Sequence, residues 1–177
     1  MILTNESYKD LLTLIPVFVG NYLEIGVFEG DMLRDFAERW PNKMFYGIDP
    51  FLSDCDTIGH TGVPIGERLE RQRVCAHENF KDRPNIKFFE QTSKDFLDQK
   101  SNEELASMCI QVVYVDGSHT YLDTFTDLCL SAKLIKNEGL IYVDDINLPE
   151  VFRAVDHFVA LQSHRILKHN KKVIFLE

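Results

Sequence analysis

Two hydrophobic runs that each end in carboxylates constrain the fold of this chain most. The first is Val-Tyr-Val-Asp at 113–116, and the second is Leu-Ile-Tyr-Val-Asp-Asp at 140–145. Short apolar runs of this kind are typical of strands that are buried on both faces of a parallel sheet. Ligands of open α/β sheets bind beyond the carboxyl ends of the strands, so we expect Asp116, Asp144 and Asp145 to meet there.

Three carboxylates in one place repel one another, and a hard divalent cation with oxygen ligands relieves that repulsion most simply. We therefore predict a metal site formed by Asp116, Asp144 and Asp145, with Mg²⁺ as the first candidate ion. The alternative is that Asp145 caps the following loop and that Asp144 only closes a turn. Adjacent strands lie about 4.8 Å apart, which allows residues at neighbouring strand ends to share one ion.

The rest of the chain alternates between segments typical of strands and segments typical of helices. The strand candidates are 21–26, 44–49, 86–91, 110–116 and 139–144, and the helix candidates between them are 30–39, 66–80, 94–107 and 120–136. This is the pattern of βαβ units, which form a parallel sheet with helices on both faces.

The two ends of the sequence depart from that alternation. A helix is expected from about Asn5 to Leu14, after which Pro16 favours an extended entry into the first strand. Beyond a helix at 149–162, the last residues predict a hairpin around His169-Asn170-Lys171, with strands at 165–168 and 172–176. We therefore predict an α/β fold with a seven-stranded, mostly parallel sheet whose last strand is antiparallel.

Length and charge limit the classes of partner. With 177 residues and 45% hydrophobic content, the chain is expected to form a single domain over 1–177. A net charge of −9 argues against nucleic acid and anionic membranes, which need a basic patch, and favours a neutral or cationic small molecule. The apolar stretch 11–19 is too short to span a membrane and lacks a basic leader, so a cytoplasmic location is expected. Without a CxxC pair, Cys109 and Cys129 are expected to be buried reduced thiols.

A glycine-bearing loop follows the first strand in Leu-Glu-Ile-Gly-Val-Phe-Glu-Gly. Gly26 and Gly30 let the backbone approach a ligand closely, although a purely structural tight turn is the alternative. Dinucleotide sites hold pyrophosphate at the N-terminus of the next helix, whereas this chain places Glu29 and Asp31 there. These carboxylates would repel a phosphate, so the loop favours a ligand without one and disfavours an NAD-linked oxidoreductase.

Two further segments fit a nucleoside. Asp49, in Gly-Ile-Asp-Pro at the end of the second strand, stands where an acidic side chain accepts both ribose hydroxyls, unless it only opens a turn before Pro50. Ser93 follows the third strand, where it can face an adenine or act only as the N-cap of the next helix.

The remaining candidates are histidines and one loop. His119 has a pKa range suited to proton removal near neutrality, so it is the candidate general base, with an N-cap or supporting role as the alternative. His60 and His77 are expected to be solvent-exposed. The segment 53–65 is interpreted as a substrate lid or a plain surface loop.

Taken together, these residues resemble class I S-adenosylmethionine-dependent methyltransferases. Within that class, the chain resembles the metal-dependent small-molecule O-methyltransferases. These include the macrocin-type sugar O-methyltransferases and, more distantly, catechol O-methyltransferase. The resemblance covers roughly 20–160. It is carried by Leu-Glu-Ile-Gly-Val-Phe-Glu-Gly, Gly-Ile-Asp-Pro, Val-Asp-Gly-Ser-His-Thr-Tyr and Gly-Leu-Ile-Tyr-Val-Asp-Asp.

The resemblance implies a role for each matching residue. Glu24, Gly26 and Gly30 would line the methionine end of the cofactor, Asp49 would hold the ribose, and Ser93 would lie by the adenine. Asp116, Asp144 and Asp145 would be the metal ligands. Apart from the resemblance, we expect Asp116 also to contact the cofactor and, together with His119, to serve in catalysis.

The chain departs from the family pattern at Phe28, where a second glycine is common, and at Asp31, where Ser or Thr is common. The sugar enzymes also carry an N-terminal extension that this sequence lacks. An acceptor pocket is therefore expected from 51–80, from 146–153 or from a second subunit of a homo-oligomer.

The resulting expectation is S-adenosylmethionine-dependent, metal-assisted O-methylation of a small hydroxylated acceptor, sugar-like or natural-product-like. The alternative from another class is a catalytically silent module that binds the nucleoside cofactor.

Overall fold

The fold is known from a computed structural model that describes residues 6–52, 65–135, 138–162, 166–169 and 172–176. The strands are β1 (Asn21–Ile25), β2 (Phe45–Ile48), β3 (Ile86–Phe89), β4 (Ile110–Val115), β5 (Gly139–Val143), β6 (Ile166–His169) and β7 (Val173–Leu176). The helices are α1 (Glu6–Leu14), α2 (Asp31–Arg39), α3 (Ile65–Phe80), α4 (Ser93–Gln99), α5 (Asn102–Ser107), α6 (Tyr121–Leu134) and α7 (Pro149–Leu161). Within the described ranges, no helix is long and apolar enough to cross a membrane.

The seven strands form one sheet in the order β3-β2-β1-β4-β5-β7-β6. Neighbours from β3 to β5 are parallel, while β7 runs antiparallel to both β5 and β6. This confirms the predicted Rossmann-like sheet of seven strands with the last one reversed. It also confirms that strands four and five are neighbours.

Two local predictions differ from the structure. The segment expected as one helix at 94–107 is divided into α4 and α5, because Ser101 starts a new helix. Its side chain accepts a hydrogen bond from the Glu104 N–H while the Glu104 carboxylate accepts one from the Ser101 N–H, which forms a capping box. Pro16 does not lie in an extended segment: it lies in a short 3-10 turn at Ile15–Val17, and the chain becomes extended at Phe18.

The sheet separates two hydrophobic cores, since alternate residues of each strand point to opposite faces. On one face, Ile25, Val113 and Val143 join the core that includes residues of α4 to α7. On the other face, Tyr22 and Tyr114 join a core with Phe36 of α2 and residues of α1. Both faces of the central strands are therefore buried, in agreement with their apolar sequences.

The strand order reverses beside β1, and this places the site. From β1 the chain continues to β2 on one side, and it returns through β4 on the other. Backbone hydrogen bonds continue past the strand ends, from the Asp116 N–H to Ile25 O (2.8 Å) and from the Asp144 N–H to Val115 O (3.0 Å). The predicted crevice thus exists, with Asp116 and Asp144 at adjacent strand ends.

Candidate active site

A cavity of about 470 Å³ opens at the carboxyl ends of the strands. It is lined by the segments that follow β1, β2, β3 and β4, together with residues of α3 and α6. Its described lining carries four aspartates and one arginine: Asp49, Asp116, Asp123, Asp127 and Arg68. Its volume lies in the range of small-molecule sites, and the excess of carboxylates favours a cationic ligand.

Gly26 lines the cavity as predicted, and its backbone explains why glycine is needed. Its φ is +87°, and a Cβ atom there would lie 2.0 Å from the Asp116 carbonyl oxygen. Glycine thus permits both the left-handed conformation and the close approach of the β1 and β4 loops.

Gly30 lies elsewhere. It also has a positive φ, +77°, but a Cβ atom there would meet the Phe80 ring of α3 at 2.6 Å, and Gly30 is not among the described residues that line the cavity. The structure places this glycine at a contact between two helices, in agreement with the structural alternative. Its role at the methionine end stays a prediction.

Asp49 lies in the cavity wall and holds the neighbouring loops together. Its Oδ2 accepts hydrogen bonds from the N–H groups of Val27 (2.9 Å) and Phe28 (3.1 Å), and its Oδ1 accepts one from Phe51 (2.7 Å). Burial raises the pKa of this carboxyl, while the three N–H donors oppose that shift. Asp49 therefore links the glycine loop to the β2 loop and remains beside the ligand space.

Glu24 lies behind the cavity wall and is not among its described lining residues. Its side chain is only 2% exposed, and its Oε2 accepts a hydrogen bond from the Tyr22 hydroxyl (3.1 Å). Burial raises the pKa of Glu24 well above its usual range, and the nearby charges of Asp116 and Asp49 add to the effect. Its predicted contact with the cofactor stays a prediction.

Among the residues that the structure describes, Asp116, His119 and Asp145 form a compact group of potential metal ligands. Their ligand atoms all lie within 4.8 Å of one another, with His119 Nε2 3.1 Å from Asp116 Oδ1 and 3.2 Å from Asp145 Oδ2. The hydrogen bond to Asp116, together with the charges of Asp116, Asp145 and Asp144, raises the pKa of His119. Asp116 and His119 also line the cavity, so the group borders the ligand space.

Asp144 stands beside this group with both of its carboxylate oxygens engaged. Oδ2 accepts a hydrogen bond from the Tyr114 hydroxyl at 2.5 Å, and Oδ1 accepts one from the Asp145 N–H at 2.9 Å. The same Tyr114 hydroxyl lies 3.1 Å from Asp116 Oδ2. The group of potential ligands in the structure therefore contains His119, where the sequence predicted Asp144 as the third metal ligand. The role of Asp144 as a ligand stays a prediction.

Tyr114 was not singled out from the sequence, although a signal existed. Residues two apart on a strand share a face, so Tyr114 stands behind Asp116 in the same way as Tyr22 stands behind Glu24. In both of these pairs the tyrosine two positions before the acid donates a hydrogen bond to it.

Ser93 lines the cavity, but the N-cap of α4 is its neighbour Thr92, whose side chain accepts a hydrogen bond from the Asp95 N–H. The Ser93 hydroxyl instead donates to Oδ1 of Asp127, on α6. Asp127 is 3% exposed, lines the cavity, and has a pKa that burial raises to about 7. This buried acid was missed because its partner comes from a distant segment.

Backbone strain is concentrated at the site. The described residues include six non-glycine residues with positive φ, and four of them surround the cavity or the acidic group: Phe28 (53°), Phe51 (49°), His119 (61°) and Asp145 (46°). Such conformations cost non-glycine residues about 1–3 kcal/mol each and persist where surrounding contacts enforce them.

Several other predictions have separate outcomes. His77 is half-exposed, as expected, and lies 2.9 Å from Glu90 Oε2. Cys75, Cys109 and Cys129 are free thiols, but Cys109 is exposed, so its predicted burial was wrong: it follows α5 in a tight turn with φ +50°. His60, Asn5 and all of 53–65 except Ile65 lie outside the described residues.

Comparison with known proteins agrees with this geometry. Residues 23–146 match the family model described as a methyltransferase domain. An uncharacterised protein, R132 of Acanthamoeba polyphaga mimivirus, is 29% identical over 164 residues. The match covers 89% of this chain but only 64% of that relative, so the chain spans less than two thirds of its length.

Two solved structures share the fold at low sequence identity. The O-methyltransferase NovP is 18% identical with a TM-score of 0.59, and the alignment covers 97% of this chain and 76% of NovP. MycE, a methyltransferase of mycinamycin biosynthesis solved with Mg, S-adenosylhomocysteine and mycinamycin VI, is 16% identical with a TM-score of 0.54, covering 89% of this chain and 44% of MycE. The family match spans most of the chain and both strand ends that carry the acidic group. The chain therefore belongs to the methyltransferase-domain family, with the class I S-adenosylmethionine-dependent methyltransferase fold.

Proposed function

We propose that this protein transfers the methyl group of S-adenosylmethionine to a hydroxyl oxygen of a small acceptor, with the help of a divalent cation. The observation that carries the proposal is the placement of the Asp116–His119–Asp145 group at the border of a cavity that Asp49 and Gly26 also line. The cavity thus combines residues that fit a nucleoside with a group that fits proton removal from a hydroxyl.

The cavity suits S-adenosylmethionine in charge and chemistry. Asp49 stands at the end of β2, where its carboxylate can accept hydrogen bonds from ribose hydroxyls. The aspartates of the wall offset the positive charge of the sulfonium, while Glu29 and Asp31 beside the α2 N-terminus disfavour a phosphate-bearing ligand. These features support a methyl donor over NAD.

The acidic group fits a divalent cation by the chemistry of its donors. Two carboxylates and an imidazole lie within 4.8 Å, and carboxylates suit Mg²⁺ and Mn²⁺. When bound, the ion would lower the pKa of the acceptor hydroxyl and hold it in line with the methyl group. We assign Asp116 and Asp145 to hold the ion, with Asp144 as the adjoining carboxylate that Tyr114 positions.

His119 is the proposed general base. Its Nε2 borders the cavity between two carboxylates, which stabilise the imidazolium that forms when the ring takes a proton. By likeness of fold, the O-methyltransferase NovP supports O-methylation. MycE, solved with Mg and mycinamycin VI, supports a natural-product-like acceptor and the choice of Mg²⁺.

The direct test combines calorimetry with transfer of a labelled methyl group to a panel of sugars, catechols and other hydroxylated compounds. We expect S-adenosylhomocysteine to bind and NAD to bind poorly, and we expect EDTA to abolish transfer while binding persists. Tighter binding of NAD would contradict the proposal. Binding of S-adenosylhomocysteine without transfer to any acceptor in excess Mg²⁺ would favour the catalytically silent module.

His119→Ala separates the two roles open to this residue. If His119 is the general base, the variant should lose about 10²–10⁴-fold in kcat and show little change in its affinity for Mn²⁺. A parallel loss of Mn²⁺ affinity would instead make His119 a ligand. Asp98→Asn, on the exposed side of α4, is the control for loss of one carboxylate, since among the described residues Asp98 forms an ion pair with Lys94 on the same helix.

A further inference from the structure

A second cavity, of about 220 Å³, lies between the edge of the sheet and the helices α4 and α5. Tyr46 of β2 and Lys87 of β3 are register partners in adjacent parallel strands, so their side chains share a face of the sheet, which Phe89 also shares. Lys100, at the end of α4, and Met108, at the end of α5, complete the wall. The described lining of this basic cavity shares no residue with that of the candidate active site.

The charges around the basic cavity are opposite to the net charge of −9 on the chain. Its described lining carries two ammonium groups, of Lys87 and Lys100, and one carboxylate, of Glu104. Lys87 forms no ion pair with any described carboxylate. Lys100 Nζ lies 3.4 Å from Glu104 Oε1 and 5.9 Å from the centre of the Phe89 ring, and a partly exposed pair of this kind is weak. The other oxygen of Glu104 accepts a hydrogen bond from the Ser101 N–H (2.8 Å). The local excess of positive charge therefore favours an anion.

The hydroxyl of Tyr46 is an unused donor in the wall of the basic cavity. Tyr46 is only 5% exposed, and its hydroxyl has no hydrogen-bond partner among the residues that the structure describes. Burial raises the pKa of this phenol, so the hydroxyl keeps its proton and can donate it to an acceptor. The hydroxyls of the other five tyrosines each have a side-chain partner: Tyr8, Tyr22, Tyr114, Tyr121 and Tyr142. Nearly buried polar groups without a partner are rare in proteins, and this one indicates an acceptor that enters the cavity.

We propose that the basic cavity is a second ligand site, which binds the phosphate group of a small phosphorylated molecule through Lys87, Lys100 and Tyr46. The three donors come from three separate segments of the chain. A tetrahedral phosphate presents oxygens in several directions and suits such donors better than a planar carboxylate, and lysine is a common phosphate ligand. Phe89 and Met108 offer apolar surface to the carbon part of the molecule. This inference goes beyond methyl transfer and does not depend on it.

The test is a titration of the protein with inorganic phosphate and with glycerol phosphate, followed by ³¹P NMR at an ionic strength held constant with sodium chloride. Both probes should bind saturably. Lys87→Gln and Tyr46→Phe should each lower the affinity by about 10-fold, as expected for the loss of one hydrogen bond to a charged group. Binding of inorganic phosphate with exclusion of glycerol phosphate would contradict a phosphorylated molecule as the ligand. Competition by acetate at the same concentration as phosphate would contradict the choice of phosphate.

The control is Lys94→Gln, which removes an ammonium group that pairs with Asp98 on the exposed side of α4 and should change the affinity by less than about 2-fold. Absence of binding, or an affinity that Lys87→Gln and Tyr46→Phe leave unchanged, would overturn the inference. Tyr46→Phe removes a hydroxyl without a described partner, so its urea midpoint in the absence of phosphate should not fall.

A fall in that midpoint would show that the Tyr46 hydroxyl already supports the fold, and would likewise count against the site. The outcome is distinguishable from a failure of the proposed function, because the two cavities share no described residue. A protein that binds phosphate but transfers no methyl group retains the second site, and the reverse result removes only that site.

Discussion

The hydroxyl of Tyr114 lies 2.5 Å from Oδ2 of Asp144, so a buried phenol on β4 supports a carboxylate at the end of β5. The same hydroxyl lies 3.1 Å from Asp116 Oδ2, which places one donor between two carboxylates. Groups that stand behind metal ligands typically change metal affinity 10–100-fold when they are removed.

Tyr114→Phe should therefore weaken Mn²⁺ binding by about 10-fold, because Asp116 and Asp144 lose their shared donor. Electron paramagnetic resonance of free Mn²⁺ measures this directly. Tyr142→Phe is the matched control: Tyr142 is paired with Tyr114 across the β4–β5 ladder, but its hydroxyl donates to Asp10 (2.8 Å). Equal Mn²⁺ affinities for the two variants would show that Tyr114 does not position the metal site.

Gly26→Ala should lower the free energy of unfolding by at least about 2 kcal/mol and impair ligand binding. The new methyl group would collide with the Asp116 carbonyl oxygen, and alanine disfavours the left-handed backbone conformation at this position. Urea denaturation provides the measurement. Gly66→Ala, in α3, is the contrasting substitution, because a Cβ atom there meets nothing within 4 Å. It should stabilise the protein by up to about 1 kcal/mol, and similar effects at both positions would contradict the packing argument.

Asp49→Ala should weaken the binding of S-adenosylhomocysteine by about 1–3 kcal/mol, because it removes a carboxylate from the ribose position. It also frees the N–H groups of Val27, Phe28 and Phe51, so the two loops should become more mobile and their amide hydrogens should exchange faster. Calorimetry and hydrogen exchange report the two effects separately. Unchanged affinity together with faster exchange would limit Asp49 to holding the loops.

The stability of the protein should depend on pH through Asp127. Burial raises the pKa of this carboxyl to about 7 in the folded state, above the value of about 3.9 expected when unfolded. The folded state therefore retains a proton that the unfolded chain has lost, and this contribution to stability is present at low pH and is lost as the pH rises through about 7.

Asp127→Asn does not titrate, so the variant should gain stability relative to the wild type between about pH 4 and pH 8, by at most about 4 kcal/mol at 1.36 kcal/mol per pKa unit. Urea denaturation of both proteins across that range measures the difference. A difference that is constant with pH would mean that Asp127 is ionised throughout.

The fold was predictable because its signals are periodic and local. Buried parallel strands appear as apolar runs, and the right-handed crossover through α6 makes β4 and β5 neighbours, which is why Asp116 and Asp144 were placed together correctly. The division between α4 and α5 also had a signal, the Ser-x-x-Glu pattern at 101–104, that the helical periodicity of the segment concealed.

The details of the site were not predictable in the same way, because they depend on side chains that meet across the fold. Asp127 and Ser93 are 34 positions apart, and neither position alone indicates the hydrogen bond. His119 reaches the acidic group through a left-handed backbone that no sequence period reveals, and Asp145 adopts a similar conformation. Strand ends could be located from the sequence, but the choice of which carboxylate oxygens remain available required the packed structure.

The left-handed residues around the cavity also affect how this protein would respond to selection. Phe28, Phe51, His119 and Asp145 each hold a conformation that glycine adopts at lower cost. Directed evolution for heat resistance alone would therefore reward glycine at Phe28, His119 and Asp145 and erode the ligand site as the melting temperature rose. At Phe51, which is 7% exposed, the loss of buried apolar surface opposes the same exchange. A mutant library intended to yield a more heat-stable protein should leave these four residues unchanged and vary residues of the outer helices.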